Sequence, residues 1–420
     1  MTIDDALRSD AHALSSGVIA LRRRLHQHPE VGLQLPKTQQ IVLEAIDGLG
    51  LEIEPGTSTT SVTAVLRGGR PGPAVLLRGD MDGLPLTEAT GLDYASQEPG
   101  AMHACGHDLH TAMLVGAARV LAAHRDELAG DVVFMFQPGE EGYDGAAHML
   151  REGVLDASGQ RVSSAYGMHV MAAIDKGVFS TRPGTLMSAS AALTVTVRGA
   201  GGHGSAPHLA KDPITVAAQM LGDLQTLITR RFDVFDPIVL SPGTFHAGTA
   251  RTIIPDTATF EATVRAFSSA AQDRLEAEAI RLCTNVGAAY DVGVEVDFRR
   301  EYPATINHSE HAAFVESVVG TTFGTDRFTL MRAPQPGAED FSRVIAEVPG
   351  CYLMLGARPA DDGVLVPDNH SPLVQFDESV LPDGVLLHCQ LALHALRRDA
   401  DAAAGLDPVG ATGREGHSVP

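Results

Sequence analysis

The stretch ALTVTVRG, residues 192–199, alternates apolar and polar side chains, the period-two pattern of a strand with one face buried and the other half exposed. Earlier runs read differently. AVLL (74–77), VVFMF (132–136) and AYGM (165–168) are compact apolar runs bounded by Gly, Pro or polar residues, as strands buried on both faces are. Helical stretches lie between them, among them residues 109–128, with Leu109, Ala112, Met113, Val120 and Leu121 on one face. Such alternation predicts α/β layers, so the change of pattern near Ser188 marks a boundary.

Beyond 192–199, KDPITVAAQMLGDLQTLITRR (211–231) has Asp212 placed as an N-cap and Pro213 at the first helical position, with an apolar stripe of Val216, Met220, Leu224, Leu227 and Ile228. IVLSP (238–242), TATFEATVRAF (257–267), a helix over 270–287 and VGVEVDF (292–298) complete the order β-α-β-β-α-β, that of a ferredoxin-like module. After Tyr302 the α/β character resumes to about Arg398. The expected fold is therefore α/β: a domain with a central, mostly parallel sheet, residues 1–187 plus 303–398, carrying an inserted ferredoxin-like α+β domain, residues 188–302. The segment 399–420, rich in Ala, Gly and Asp, reads as a disordered tail.

Composition excludes several functions. The 420 residues carry 31 basic against 52 acidic side chains, a formal charge of −21, which lacks the basic footprint that nucleic acid or an anionic membrane requires. No run is long and apolar enough to span a bilayer. The start, MTIDDALRSD, lacks the basic and apolar regions of a signal peptide. Cys105, Cys283, Cys351 and Cys389 follow no disulfide spacing, and read as reduced thiols of a cytoplasmic protein.

Polar clusters follow the buried strands. RGDMD (78–82), QPGEE (137–141) and His169 each come directly after an apolar run, at the strand ends where α/β sheets build their sites. HACGHDLHT (103–111) opens a helix, so Cys105, His107 and Asp108 can project into one crevice, and DNHSP (368–372) offers His370 between two prolines. Cys105 has no C-x-x-C partner and an excess of imidazoles and carboxylates nearby, which suits a thiolate metal ligand best; a nucleophile and a buried core thiol are the other readings. Of the neighbours Glu140 and Glu141, one can bind metal while the other moves a proton; the alternative is a solvated acidic turn. Asp80 and Asp82, two apart, face the same way in an extended segment, and Asp82 can fix the tautomer of a ligand histidine; a Gly/Asp turn is equally compatible. GGHGSAPH (201–208) sets His203 on a glycine-rich loop, and Arg251 and Arg265 are basic residues able to grip a carboxylate. Singly, each of these three also reads as an ordinary surface residue.

Together LHQHPEVGLQLPKT (25–38), RGDMDGLPLTE (78–88), MHACGHDLHTAMLVGAA (102–118), QPGEEGYDGAAHML (137–150), GMHV (167–170), GGHGSAPHLAKDPI (201–214), AEDFS (338–342) and NHSP (369–372) resemble, in order and spacing, the hippurate hydrolase and N-acyl-amino-acid amidohydrolase group. This group includes plant hydrolases of indoleacetyl-amino acid conjugates, and belongs to the dinuclear metallohydrolase clan of aminoacylase and carboxypeptidase G. The resemblance runs from about Leu21 to His394. It implies a catalytic domain with two divalent ions per subunit (Zn, Mn, Co or Ni) and an inserted lid domain that pairs in a homodimer. It further implies Cys105, His107, Glu141, His169 and His370 as metal ligands, with Cys105 bridging. Glu140 matches the general base and acid, Asp82 the residue steadying a ligand histidine, and His203 the lid histidine that steadies the oxyanion in a partner's site. One position departs from the pattern: Thr252 stands where the group has an Asn that helps bind the substrate's carboxylate end, while Arg265 remains a candidate for that contact.

The expected activity is hydrolysis of the amide bond of a small-molecule N-acyl amino acid or related conjugate. A di-metal dipeptidase or aminopeptidase uses the same ligands on a substrate with a free α-amine. A non-catalytic metal-binding protein would not need Glu140 beside Glu141.

Overall fold

The computed structural model describes residues 2–359 and 365–403. Helices α1 (Ile3–Ala13), α2 (Ser15–His26) and α3 (Pro36–Ile46) come first, then strands β1 (Glu52–Pro55), β2 (Val62–Leu66) and β3 (Arg70–Asp80). Helix α4 (His107–Ala123), β4 (Ala129–Gln137), α5 (Gly145–Arg151), β5 (Ser164–Met171) and β6 (Phe179–Thr181) follow. Next are β7 (Gly184–Met187), β8 (Ala189–Arg198), β9 (Gly202–His203), α6 (Pro213–Arg231), β10 (Ile238–Ala247) and β11 (Ile253–Ile254). After these come β12 (Thr257–Ala266), α7 (Ser269–Ala289), β13 (Gly293–Arg300) and β14 (Thr305–Asn307). The remaining elements are α8 (Ser309–Phe323), β15 (Phe328–Leu330), α9 (Ser342–Glu347), β16 (Gly350–Gly356) and α10 (Leu381–Ala403).

The chain forms two compact units. Among the described residues, the first holds 2–181, 308–330, 347–359 and 365–403, and the second Arg182–Asn307 with Met331–Ala346. The first unit is built on an eight-stranded sheet in the order β1-β2-β4-β3-β5-β16-β6-β15. Its centre, β4-β3-β5-β16, is parallel, while β1, β2 and β6 join antiparallel. The apolar runs expected as strands lie inside β3, β4 and β5, fully buried. Helix α4 lies against β3, β4 and β5, and α1, α2, α3 and α10 pack around it. It is therefore buried on nearly every side, with the residue content of a core helix rather than an amphipathic one. The α-helix stops at Ala123, and residues 125–127 form a 3₁₀ turn, short of the expected end at residue 128.

The second unit contains a four-stranded antiparallel sheet, β10-β12-β8-β13. With α6 after β8 and α7 after β12, this is the ferredoxin-like arrangement. The alternation in 192–199 turns Leu193, Val195 and Val197 into the core, where Met220, Leu224, Phe260 and Leu275 meet them. Asp212 accepts from Ile214 N–H at 2.9 Å and Pro213 opens α6, which satisfies one N-terminal donor. The unit is wider than residues 188–302, because β7 and β14 pair on either side of it. The segment 331–346 also belongs to it: the carbonyls of Gln335 and Gly337 accept from Ser188 N–H. That segment has no strand period to announce it. The tail expected from Asp399 begins inside α10, which continues to Ala403; residues 404–420 lie outside the described residues. Among the described residues, no helix is long and apolar enough to cross a membrane.

Candidate metal centre

Parallel strands bring their carboxyl ends to one edge of a sheet, and here β3, β4 and β5 deliver Asp80, Gln137 and His169 to that edge. His169 lies within β5, two residues before its end, rather than just after it. The polypeptide enters α4 through Gly106, whose φ is +85°. A Cβ there would sit 2.3 Å from Val170 Cγ2, so only glycine fits both the space and the left-handed backbone. That turn aims Cys105 and His107 at the strand ends. His370 arrives from the loop before α10, itself left-handed at φ +69°. The loop is stapled by Asn369, whose Oδ1 accepts from Ala172 N–H at 3.0 Å while its Nδ2 donates to Val170 O at 3.0 Å and Cys105 O at 3.3 Å.

The buried Cys105 Sγ is 3.3 Å from His169 Nε2 and 3.2 Å from His370 Nε2. His370 Nε2 is also 3.1 Å from Glu141 Oε1. Cys105 with His107 and His169, Cys105 with Glu141 and His370, and His107 with Glu140 and Glu141 each have ligand atoms within 4.8 Å of one another. Thus Cys105 belongs to two donor groups at once. The Asp82 carboxylate accepts from the backbone N–H of both Glu140 and Glu141 at 3.0 Å, and lies 3.3 Å from His107 Nδ1. One side chain therefore fixes the turn that carries the two glutamates and faces the ring of His107.

Electrostatics follow from burial and crowding. Burial, then Glu141, Glu140 and Asp80, hold the Cys105 thiol well above its usual value. Burial opposes charge on His107, but Asp80 and Asp82 outweigh it and push its value up to about 10. Burial and His110 keep His169 well below the usual imidazole range. The hydrogen bond to Glu141 raises His370, and burial opposes charge on Glu141 but its bond with His370 outweighs it and lowers its value. His107 is fully buried, and neither ring nitrogen has a well-formed hydrogen bond. An orphaned imidazole is costly in a core, and here it faces a thiol and several carboxylates, a donor set suited to divalent first-row transition ions.

Asp108 does not join the crevice as its position beside His107 suggests. It turns toward α2, where its Oδ2 meets Arg22 Nε at 2.7 Å and His26 Nδ1 at 2.8 Å. In the second unit, His203 and Thr252 are exposed, and their strands pair: Ile253 stands opposite His203, and Gly204 N–H donates to Thr252 O at 2.8 Å. Arg251 lines a cleft of about 530 Å³ beside them, with Gly204, Asp212 and Thr249. Arg265 lies elsewhere on the unit, on β12, and is half-buried; its Nη1 donates to Thr263 Oγ1 and Val264 O at 2.9 Å. The sequence reading assigns no role to His110, Arg78 or Asn369. The signal for His110 is its spacing three residues after His107, which puts both on one helix face.

Chemistry of this kind is that of metal-dependent hydrolases of amide bonds. The chain belongs to one such group, peptidase family M20/M25/M40, whose pattern matches residues 76–394. It is 36% identical over 400 residues to thermostable carboxypeptidase 1 of Saccharolobus solfataricus, covering 94% of this chain and 99% of that one. IAA-amino acid hydrolase ILR1-like 2 of Arabidopsis thaliana is 33% identical over 387 residues, 91% of this chain and 86% of the relative. A crystal structure of a dinuclear metal-binding M20 peptidase from Bacillus subtilis superposes with a TM-score of 0.78 at 30% identity, over 92% of this chain and 99% of the other.

Proposed function

We propose that this protein hydrolyses the amide bond of an N-acyl amino acid or related conjugate, releasing a carboxylic acid and an amino acid. The observation that carries this reading is Cys105 shared between two donor groups, with Glu140 beside them. Cys105, His107, Glu141, His169 and His370 would hold two divalent ions, with Cys105 common to two of the donor groups. When bound, such ions polarise an amide carbonyl and make water acidic. Glu140 takes the proton of the attacking water and delivers it to the leaving nitrogen as the C–N bond breaks. Asp82, through the two glutamate amides and His107, keeps the base in register. His203 donates to the oxyanion and Thr252, beside it, meets the substrate's carboxylate end without an amide donor; Arg265, at the other end of β12, contacts that carboxylate from the opposite subunit. We further propose a homodimer through the inserted lid domain, each subunit presenting His203 to its partner's site. Four free, buried cysteines suit a reducing, cytoplasmic setting.

The relatives support the substrate class, since a carboxypeptidase and an indoleacetyl-amino acid hydrolase both release an amino acid from an amide. The test is a hydrolysis screen over N-acetyl, N-benzoyl, long-chain and indoleacetyl amino acids, with enzyme reconstituted separately with Zn, Mn, Co and Ni. Turnover of benzoyl-glycine but not glycyl-glycine is expected. The reverse preference would make the protein a dipeptidase.

A further inference from the structure

Behind the candidate ligands lies a second layer of buried polar groups. His110 is 1% exposed, and its Nδ1–H donates to Asp80 Oδ1 at 2.5 Å. Its other nitrogen, Nε2, accepts from Val170 N–H at 2.8 Å. These two bonds place the ring's proton on Nδ1 and occupy both nitrogens. So although Asp80, His107 and His110 also lie within ligand distance of one another, His110 has no lone pair left for an ion. Asp80 is itself anchored: Arg78 Nη1 donates to its Oδ2 at 2.5 Å, and Thr111 Oγ1 to its backbone carbonyl at 2.7 Å.

The Val170 peptide explains what His110 does. Strand β3 pairs with β5 only as far as Arg78 opposite Gly167, so β5 outruns its neighbour by the time it reaches His169. His110 Nε2 supplies the acceptor that β3 no longer offers to Val170 N–H. The carbonyl of the same residue accepts from His169 Nδ1–H at 2.8 Å, which leaves His169 Nε2 facing Cys105. The two rings touch edge to face, 4.9 Å between centroids. The chain Arg78–Asp80–His110–Val170–His169 is thus continuous.

We propose that His110, anchored by Asp80, is a positioning residue: it holds the Val170 peptide on the side of β5 that β3 leaves unpaired and so fixes the tautomer and aim of His169. This rests on the reading of His169 and Cys105 as metal ligands. Removing such a partner of a ligand histidine typically costs about 10–100-fold in metal affinity.

The experiment compares wild type, His110→Ala, His110→Gln and His110→Asn by Zn(II) competition against a chromophoric chelator, and by visible spectra after Co(II) substitution. Gln can place an oxygen where Nε2 accepts from Val170; Asn can reach only toward Asp80. The expected result is a fall of about 10–100-fold in Zn(II) affinity for the Ala and Asn variants, recovery of most of it by Gln, and a Co(II) d–d spectrum displaced in Ala and Asn but close to wild type in Gln. Wild-type affinity in the Ala variant, or Asn binding as tightly as Gln, would overturn the positioning role. If His110→Ala does not fold, the Gln and Asn pair decides alone. A distinct failure, wild type binding no Zn(II) or Cys105→Ser binding it unchanged, would overturn the ligand reading itself.

Discussion

The first unit and the ferredoxin-like sheet of the second treat charge in opposite ways. In the first, Arg22, Arg78, Asp80, His107 and Asp108 are at most 1% exposed, and they pair with one another around the ends of parallel strands. In the second, the sheet closes over aliphatic residues and Phe260, and His203, Arg251 and Thr252 stay at the surface. Buried ions cost several kcal/mol each in desolvation and are tolerated where partners are held in place. A fixed array of that kind suits metal chemistry, whose ligands must not rearrange. Surface groups that remain free to move suit contact with a substrate that comes and goes.

If this contrast is functional, substitutions in the first unit should act on metal and rate, and those in the second on substrate handling. The largest effect is expected at Glu140. Glu140→Gln should lose about 10²–10⁴-fold in kcat with its metals retained, whereas Glu141→Gln should lose metal by elemental analysis; exchanged phenotypes would reverse the two roles. His203→Ala should lose about 10²–10³-fold in kcat and keep its metals. Mixing it with Glu140→Gln under subunit exchange should restore part of the activity, since one site in each heterodimer then carries neither defect. Absence of any recovery after demonstrated exchange would place His203 in its own subunit's site or in none.

Asp82→Asn comes next. It keeps one acceptor for the paired glutamate amides but loses the charge facing His107, and about 10–100-fold in Zn(II) affinity should go with it. A smaller effect concerns His26, which burial opposes charging but which Asp108 and Glu88 hold above the usual imidazole value. A raised folded value means this contribution is whole below about pH 6.5 and fades as the pH rises through the raised value. The stability difference between wild type and His26→Gln should therefore shrink with rising pH, by no more than about 1.4 kcal/mol per unit, as read from denaturant midpoints. The smallest expected change is Thr252→Asn: one restored amide donor, worth about 0.5–1.5 kcal/mol, should lower KM several-fold for substrates with a free carboxylate. No change in KM would separate Thr252 from substrate.

Much of this contrast is legible in the sequence. The change from unbroken apolar runs to the alternation of 192–199 separates the units, because a strand covered on both faces and one covered on a single face need different residues. The strand-end clusters point to one edge of the sheet for the same reason that parallel strands share a direction. What the sequence does not show depends on distant partners. Asp108 faces away from its neighbours because Arg22 and His26, some eighty residues earlier, claim it. Asp82 reaches two backbone amides, and amides leave no trace in residue identity. Helix α4 carries few polar residues because four helices cover it, which a helical stripe cannot reveal.

The order of strands has a consequence for synthesis. β16 lies between β5 and β6, yet it is made some 170 residues after them, and His370 later still. While the chain grows from its N-terminus, the whole intervening second unit must leave the ribosome before β5 gains its neighbour. Until then β5 exposes an unpaired apolar edge, the kind of surface on which chains pair wrongly. The nascent protein therefore depends on the segment from β16 to His370 both to close its main sheet and to complete its set of ligands, and truncation before it should leave an aggregating chain rather than a weaker enzyme.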